Sequence, residues 1–488
     1  MRFCLSFCGL LALIIILPGF GLRCTNKEVQ QGMKPVELNY WRVYDGPDAF
    51  EQIIAAYSQN HTNVSIKYRK LRYDEYEREL INALAEDRGP DIFSLHNTWL
   101  ARYQNKLEPL PPQVTLIYPT LKGSIKKELF LEKRVTRTMT TAELEKAYVE
   151  AVAKDVVRTA LDEETGGARP QIYGLPLALD SLVMYYNKDL FNNAALPEPP
   201  AYWNRDFQLA VKNLTKQDNK GLLIQYGVAL GGGENIERAG DILSLLMMQN
   251  GTVMMDGNRV AFHQIPPALS QKGYNPGLEA LRFYTDFANP AKEVYSWNKN
   301  AENSLELFCR GQLAIFFGYA YHLPMIKAKA PKLNFAIAPM PQIENNPPVN
   351  FANYWVEVVS KKIMTDQKNL ALGQEYPRLK RDIAWDFLLF VAKAENVKSY
   401  LAAVKKPSAL RSLVAQESRD PKLGVFASQL LTAKSWYQGE DAPAAEKIMQ
   451  ELINTAVENQ QFPERLMDYL NNAALQVQQT VVRKPADE

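Results

Sequence analysis

Cysteine and histidine are both scarce in this chain, with only four of each among 488 residues. Cys4, Cys8 and Cys24 lie at the extreme N-terminus, so Cys309 is the only cysteine in the body. A disulfide framework in the body and a cysteine-based zinc site are therefore excluded. His61, His96, His263 and His322 are scattered, with no His-x-x-x-His pair, which argues against a histidine-held metal. Neither sign of charge is in surplus: 56 basic residues face 54 acidic ones. Such a balance offers no footprint for nucleic acid or for an anionic membrane surface. After the N-terminus, no stretch approaches the roughly 20 apolar residues needed to span a bilayer.

What remains is ordinary globular composition, 47% hydrophobic and 23% charged, over a length sufficient for two or three domains with their own cores. At the start, Arg2 precedes an apolar run, residues 3–17, broken by Pro18 and Gly19. This is the pattern of an export signal. Cys24 follows it and opens a polar linker, residues 25–34, and this arrangement resembles a bacterial lipoprotein signal in which the cysteine thiol is lipidated. Arg23 and Gly21 depart from that pattern, which asks for a small residue and a leucine at those places. Lipidation at Cys24, an uncleaved anchor helix and ordinary cleavage all remain open, and all three put the body outside the cytoplasmic membrane.

The body opens as an α/β chain. Residues 36–43 alternate like a half-buried strand, and Phe50, Ile53, Ile54 and Tyr57 then fall at helical spacing. Residues 64–68 alternate again, Tyr76, Leu80 and Leu84 mark a second helix, and residues 91–96 form a third strand after Gly89-Pro90. A βαβαβ order implies a parallel sheet, and ligands of such sheets bind beyond the carboxyl ends of the strands. Those ends are residues 42–45 and 96–99, making Arg42, Tyr44, Asp45 and Asn97 candidate contacts. Over residues 121–169 we expect a helical elaboration, with a capping box at Thr140 and Glu143. The basic run of Lys126, Lys127, Lys133, Arg134 and Arg137 reads as a solvated face.

The run from Tyr173 to Phe191 is the most informative. Residues 175–186 read as an apolar strand interrupted by one acid, Asp180, and leading into a helix start at Asn187-Lys188-Asp189. A carboxylate in such a place is costly unless it is paired or meets a ligand. This run resembles the hinge-crossing strand of the family 1 extracellular solute-binding proteins, the sugar-capturing subunits of bacterial ABC importers. Further motifs follow in the family's order. Asp45 stands just before Pro47, and the polar exit at Asn97 follows Pro90-Asp91-Ile92. A Pro-rich segment ends at Trp203, and a Gly-x-x-Ala strand at 311–314 leads to Tyr319 and Tyr321. A strand at 331–341 is closed by two prolines, and residues 352–360 resemble a return strand carrying Trp355.

The resemblance implies a two-lobe periplasmic-binding fold of type II, with mixed sheets flanked by helices and a hinge between lobes. Residues 35–180 with about 355–405 would form one lobe, and 181–354 with about 406–488 the other. It further implies a small-molecule ligand, most simply a carbohydrate, an ABC permease as partner, a monomer, and no cofactor or catalytic machinery. Asp180 then becomes a ligand residue at the hinge, Tyr319 and Tyr321 become stacking surfaces, and Trp355 lies at the cleft. Trp436, in an aromatic loop before the terminal helices, becomes a candidate lid. The glycine-rich loop 231–233 matches neither a P-loop nor a dinucleotide fingerprint. It is expected to bring backbone close to a ligand or partner, with Asn235 as a polar contact. Two other classes stay open: a secreted carbohydrate hydrolase using Asp45 and Asp180 as an acid pair, and a surface interaction protein that keeps the fold without transport.

Overall fold

Two separate apolar cores form, one in each of two α/β lobes, and the chain passes between them at a small hinge sheet. The computed structural model describes residues 33–122, 128–161 and 166–482. The export signal, Cys24, most of the linker, Lys126 and Lys127 lie outside the described residues. Among those residues, no helix is long and apolar enough to cross a membrane, and no group of acids, cysteines and histidines could hold a metal ion.

The first lobe is built on a five-stranded sheet in the order Val64–Leu71, Val36–Val43, Ile92–His96, Trp355–Ser360, Leu107–Glu108. The first three strands are parallel and the fourth runs against them. Helices Glu51–Asn60 and Tyr73–Ala85 make the parallel crossovers. Ile92, Phe93 and Leu95 are fully buried, because helices cover both faces of a central parallel strand. The same geometry aims the carboxyl ends at Tyr44 and His96 toward the second lobe.

The second lobe repeats the plan with Lys216–Gln217, Leu223–Val228, Leu313–Gly318, Val183–Asn187 and Phe335–Ala338. Leu313–Gly318 is buried throughout and pairs antiparallel with Val183–Asn187. Asn187 caps the helix Lys188–Asn193, its Oδ1 accepting from the amides of Asp189 and Leu190. Between the lobes, Asp180–Ser181, Asn350–Asn353 and Ala433–Lys434 form a three-stranded hinge sheet, with Asp180 opposite Asn353. The apolar run 175–186 is thus three short pieces. Leu175 bridges the first-lobe sheet at Glu357, Asp180–Ser181 lies in the hinge, and Val183–Asn187 enters the second sheet. Residues 409–414 pack in the first core, whereas Phe426 belongs to the second.

The elaboration at 121–169 requires a correction, because it is largely β. Gln113–Lys122 and Glu128–Arg137 form a long antiparallel hairpin, and Val157–Leu161 pairs with Ala168–Ile172. Only Thr141–Ala147 and Glu150–Val156 are helical, the first opening on the expected capping box between Thr140 and Glu143. β-Branched residues such as Val114, Thr115, Ile117, Val135 and Thr136 favour the pleated pairing, and Val114 and Leu116 alternate into the core. The basic residues are spaced by strand geometry, with Arg134 lying over the Tyr118 ring across the ladder.

Candidate functional site

Tyr44 ends the first strand in the left-handed region, at φ 68°. For a tyrosine this costs about 1–2 kcal/mol, so the turn must be held from behind. Behind it lies a buried charge network. Arg42 pairs with Glu357 at 3.0 Å and Asp45 at 3.3 Å, Lys406 reaches Asp45 at 2.9 Å, and the Tyr400 hydroxyl donates to Asp45 at 2.8 Å. Burial acts to raise the Asp45 pKa, but Arg42 and Lys406 overcome it and hold the carboxyl below its ordinary range. The turn consequently throws the Tyr44 ring outward, where it stacks on Tyr73 with centroids 5.6 Å apart and planes 15° apart. Trp355 presents its edge to both rings and packs on His96 and Trp99. Tyr44 and Tyr73 are 49% and 56% exposed, which is unusual for two large rings in mutual contact and leaves an open aromatic platform.

The hinge contributes Asp180 and Asn353. Asp180 Oδ1 accepts from the Ser181 amide and Oδ2 from the Ala320 amide, each at 2.9 Å. Ala320 and Tyr321 open the helix His322–Lys329, so Asp180 caps that helix from across the hinge. Burial nevertheless pushes its pKa up to about 7, with those backbone amides only partly offsetting it. Asn353 accepts at Oδ1 from His96 Nε2 at 2.9 Å. Burial pushes His96 down to about 4, so the imidazole is neutral at pH 7.

The second lobe supplies the other wall. Tyr319 is fully buried and donates its hydroxyl to Asp241 at 2.6 Å. Tyr321, 43% exposed, stacks on it at 5.8 Å and 21°. Arg238 stands in left-handed backbone, at φ 58°, before the helix Ala239–Gln249. Its guanidinium is held by Asp241 at 2.8 Å and Glu446 at 2.9 Å. Its charge acts on Tyr44, Tyr73 and His96 of the first lobe and on Tyr319 and Tyr321 of its own. Arg238 therefore sits between the two tyrosine pairs.

Of the residues singled out by sequence, Tyr44, Trp355, Asp180 and Tyr321 converge between the lobes, whereas Tyr319, expected as a stacking surface, is fully buried and supports Tyr321 from behind. Arg42 and Asp45 lie behind Tyr44 and spend their charges on each other, Glu357 and Lys406. Asn97 is buried, with Nδ2 donating to Asp155 at 3.0 Å. Asn235 works inside the second lobe, bonding the carbonyls of Asn298 and Ala301 and accepting from Trp297 Nε1. Trp436 packs its ring on Phe262 and Tyr437. The glycine-rich loop packs closely on its own lobe: the Gly233 amide donates to Asn454 Oδ1 at 3.1 Å. A Cβ at Gly233 would stand 2.5 Å from the Gln450 carbonyl oxygen. Gly233→Ala is accordingly expected to cost about 1–3 kcal/mol of stability without changing ligand affinity in the folded fraction. Denaturant melts with and without ligand check this.

Tyr73, Arg238, Lys406, His96 and Asn353 escaped the sequence reading as contacts. Tyr73 was within reach, since it follows the second strand as Tyr44 follows the first. Arg238 gave no signal, because nothing local announces its left-handed backbone. A cavity of about 1190 Å³ lies at the opposite end of the first lobe, lined by Lys34, Pro111, Lys361, Tyr376 and Arg381 among others. It lies where the first-lobe strand Val36–Val43 begins, away from the carboxyl ends that face the second lobe.

The comparisons with known proteins bear on this arrangement. The galactooligosaccharide-binding protein of Bacillus subtilis is 21% identical over 394 residues, covering 80% of this chain and 77% of that protein. The cyclic α-maltosyl-1,6-maltose binding protein of Arthrobacter globiformis superposes with a TM-score of 0.67 at 18% identity, over 91% of this chain and 99% of that one. The sugar-binding protein of Xanthomonas citri gives 0.64 at 16% identity, over 91% and 97%. The two-lobe fold is common to these structures. The family model for bacterial extracellular solute-binding proteins matches residues 45–398, most of the body of the chain. The chain belongs to the bacterial extracellular solute-binding protein family.

Proposed function

We propose that this protein is an exported receptor that closes its two lobes around an oligosaccharide and presents it to an ABC permease. The observation that carries the reading is the pair of tyrosine stacks, Tyr44–Tyr73 in one lobe and Tyr319–Tyr321 in the other, flanking a hinge that bears Asp180. Aromatic faces suit the C–H faces of pyranose rings. A carboxylate accepts hydrogen bonds from sugar hydroxyls more strongly than a neutral acceptor does. Ligand held by both walls stabilises the closed form, and only that differential affinity can drive closure. The oligosaccharide ligands named for the Bacillus and Arthrobacter relatives support the same class. The proposal includes a monomer tethered at the outer face of the membrane through Cys24 or an N-terminal helix.

A thermal-shift screen of the purified protein against mono- and oligosaccharides, with polyamines and phosphates as controls, tests it. A saturable rise in Tm with an oligosaccharide is expected. A rise confined to the polyamine or phosphate wells overturns it. Tyr321→Ala should weaken binding about tenfold or more, the worth of an aromatic contact of roughly 1.5 kcal/mol, while Tyr321→Phe keeps most of the affinity. Equal losses in the two variants would show that the ring face is not the contact. A hydrolase reading fits less well, because Asp45 is committed to Arg42, Lys406 and Tyr400 and cannot serve as the second acid. The relatives that match over most of the chain are binding proteins.

A further inference from the structure

Two cations of the described residues stand at the tyrosine stacks, Arg238 and Lys406, and each is already held by a carboxylate. Arg238 is shared by Asp241 and Glu446, and Lys406 is bound to Asp45. The two imidazoles nearby, His96 and His322, are pushed by burial to about 4 and are uncharged at neutral pH. The N-terminus of the helix His322–Lys329 would ordinarily attract an anion, but the amides of His322 and Leu323 are spent on turn carbonyls and the Asp180 carboxylate takes the Ala320 amide just before the helix. On the other side of the ledger stands a surplus of acid. Arg238 carries two carboxylate partners for one positive charge. Asp180 accepts its hydrogen bonds from backbone amides, with Lys406 acting on it only through space, and Glu237, whose charge also reaches Tyr321, accepts from the Asn303 amide group.

From this distribution we infer that the cleft selects against anionic ligands: it takes an uncharged or amine-bearing glycan and rejects one carrying a uronate or phosphate group. The inference rests on the receptor reading above and narrows its ligand class. The Tyr44–Tyr73 stack and the exposed Tyr321 ring, backed by buried Tyr319, offer surface to a neutral pyranose or, by cation–π attraction, to an ammonium group. An acidic group placed between them meets Asp180 and Glu446 while Arg238 and Lys406 are already paired, and it must give up water to get there.

Two measurements test the inference separately from the receptor reading. In the first, the full-length protein is titrated calorimetrically with galactotetraose, tetragalacturonate and tetragalactosamine, and with maltotetraose and its 6-phosphate. The neutral or the amino compound should bind at least 100-fold more tightly than its acidic counterpart. An acidic member that binds as well as its neutral counterpart overturns the inference. If no glycan binds, the receptor reading falls, and the second measurement still decides the charge selection. Collisional quenching of Trp355, read as the difference between wild type and Trp355→Phe, is compared for caesium, iodide and acrylamide. Caesium should quench this component more efficiently than iodide, and iodide should fall well below acrylamide. Iodide quenching equal to or above that of caesium would overturn the inference whatever the glycans do. Asp180→Asn, which keeps the side-chain shape, should narrow the caesium–iodide gap.

Discussion

Asp180→Ala is expected to abolish ligand-dependent stabilisation while leaving a folded protein. At a ligand concentration 100 times Kd, wild type should gain about 2.7 kcal/mol through mass action, and the variant close to none. The expectation follows from geometry. Asp180 stands in the hinge sheet opposite Asn353 and bonds Ala320 of the second lobe, so one carboxyl reports on ligand and hinge together. Removing it frees the amides of Ser181 and Ala320, a loss of about 1–2 kcal/mol for a helix cap, well short of unfolding. Asp180→Asn separates the two roles in part, because its one oxygen still accepts from one of the two backbone amides while its NH2 group meets the other. If Asp180→Ala unfolds the protein and Asp180→Asn binds like wild type, the residue is structural and its assignment to the ligand fails.

The same carboxyl sets a pH dependence. Its folded pKa, about 7, lies above the ordinary 3.8 because burial disfavours the charge. Between those values the folded protein keeps a proton that the unfolded chain has released. This group's contribution therefore makes stability fall as pH rises from about 4 to 7, and level off above. Binding should run the other way. Sugar hydroxyls donate to the ionised acid, so affinity rises with pH until Asp180 is fully ionised. At pH 5 only about one site in 100 is ionised, which caps the loss at about 100-fold relative to pH 8. Calorimetric titrations across pH 5–8 should show this slope in wild type and a flat profile in Asp180→Asn. A flat wild-type profile would show that the ionised form is not the acceptor.

Asp180 was legible in the sequence because a lone acid in an apolar strand is a conspicuous cost. Tyr321 was legible because it follows a glycine-bounded apolar strand. The fold was legible for a related reason: strand and helix periodicities alternate cleanly over the first hundred residues. Asp45 and Arg42 were visible but were given to the ligand, since a strand exit does not say which charges neutralise each other. Their partners, Glu357, Tyr400 and Lys406, lie more than 300 positions away. Tyr73 could have been found from its place after the second strand, whereas Arg238 stayed hidden because only the packing of one lobe against the other brings it near the first-lobe tyrosines. The segment 121–169 was misread because the capping box at Thr140 and Glu143 was extended into a helical reading of the whole stretch, while the basic run, read as a solvated face, carried no strand signal.

The buried network behind Tyr44 yields the largest expected effect on stability. Glu357 is fully buried in the fourth first-lobe strand. It accepts from the Tyr40 hydroxyl at 2.7 Å and from Ser94 at 2.9 Å, and it pairs with Arg42 at 3.0 Å. Glu357→Ala leaves Arg42 with Asp45 as its remaining carboxylate, strands the Tyr40 hydroxyl and opens a void. Breaking a buried pair from one side costs about 3–5 kcal/mol, and for a lobe of this size each kilocalorie is worth about 2–4 °C in Tm. A fall of roughly 10 °C is therefore expected. Replacing both partners, Arg42→Met with Glu357→Leu, should recover much of the loss, because no uncompensated charge then remains buried. The recovered stability should not bring back binding. Arg42 and Asp45 brace the turn that keeps Tyr44 in left-handed backbone, and Tyr68 reinforces it by donating to the Asp45 carbonyl at 2.8 Å. Without Arg42 the turn can relax, and the Tyr44–Tyr73 platform loses its orientation. Thermal melts and ligand titrations of the single and double variants read the two effects independently. A double variant that is stable and binds like wild type would show that the network serves only the core, and a Glu357→Ala variant within 1 kcal/mol of wild type would show that Arg42 finds its compensation elsewhere.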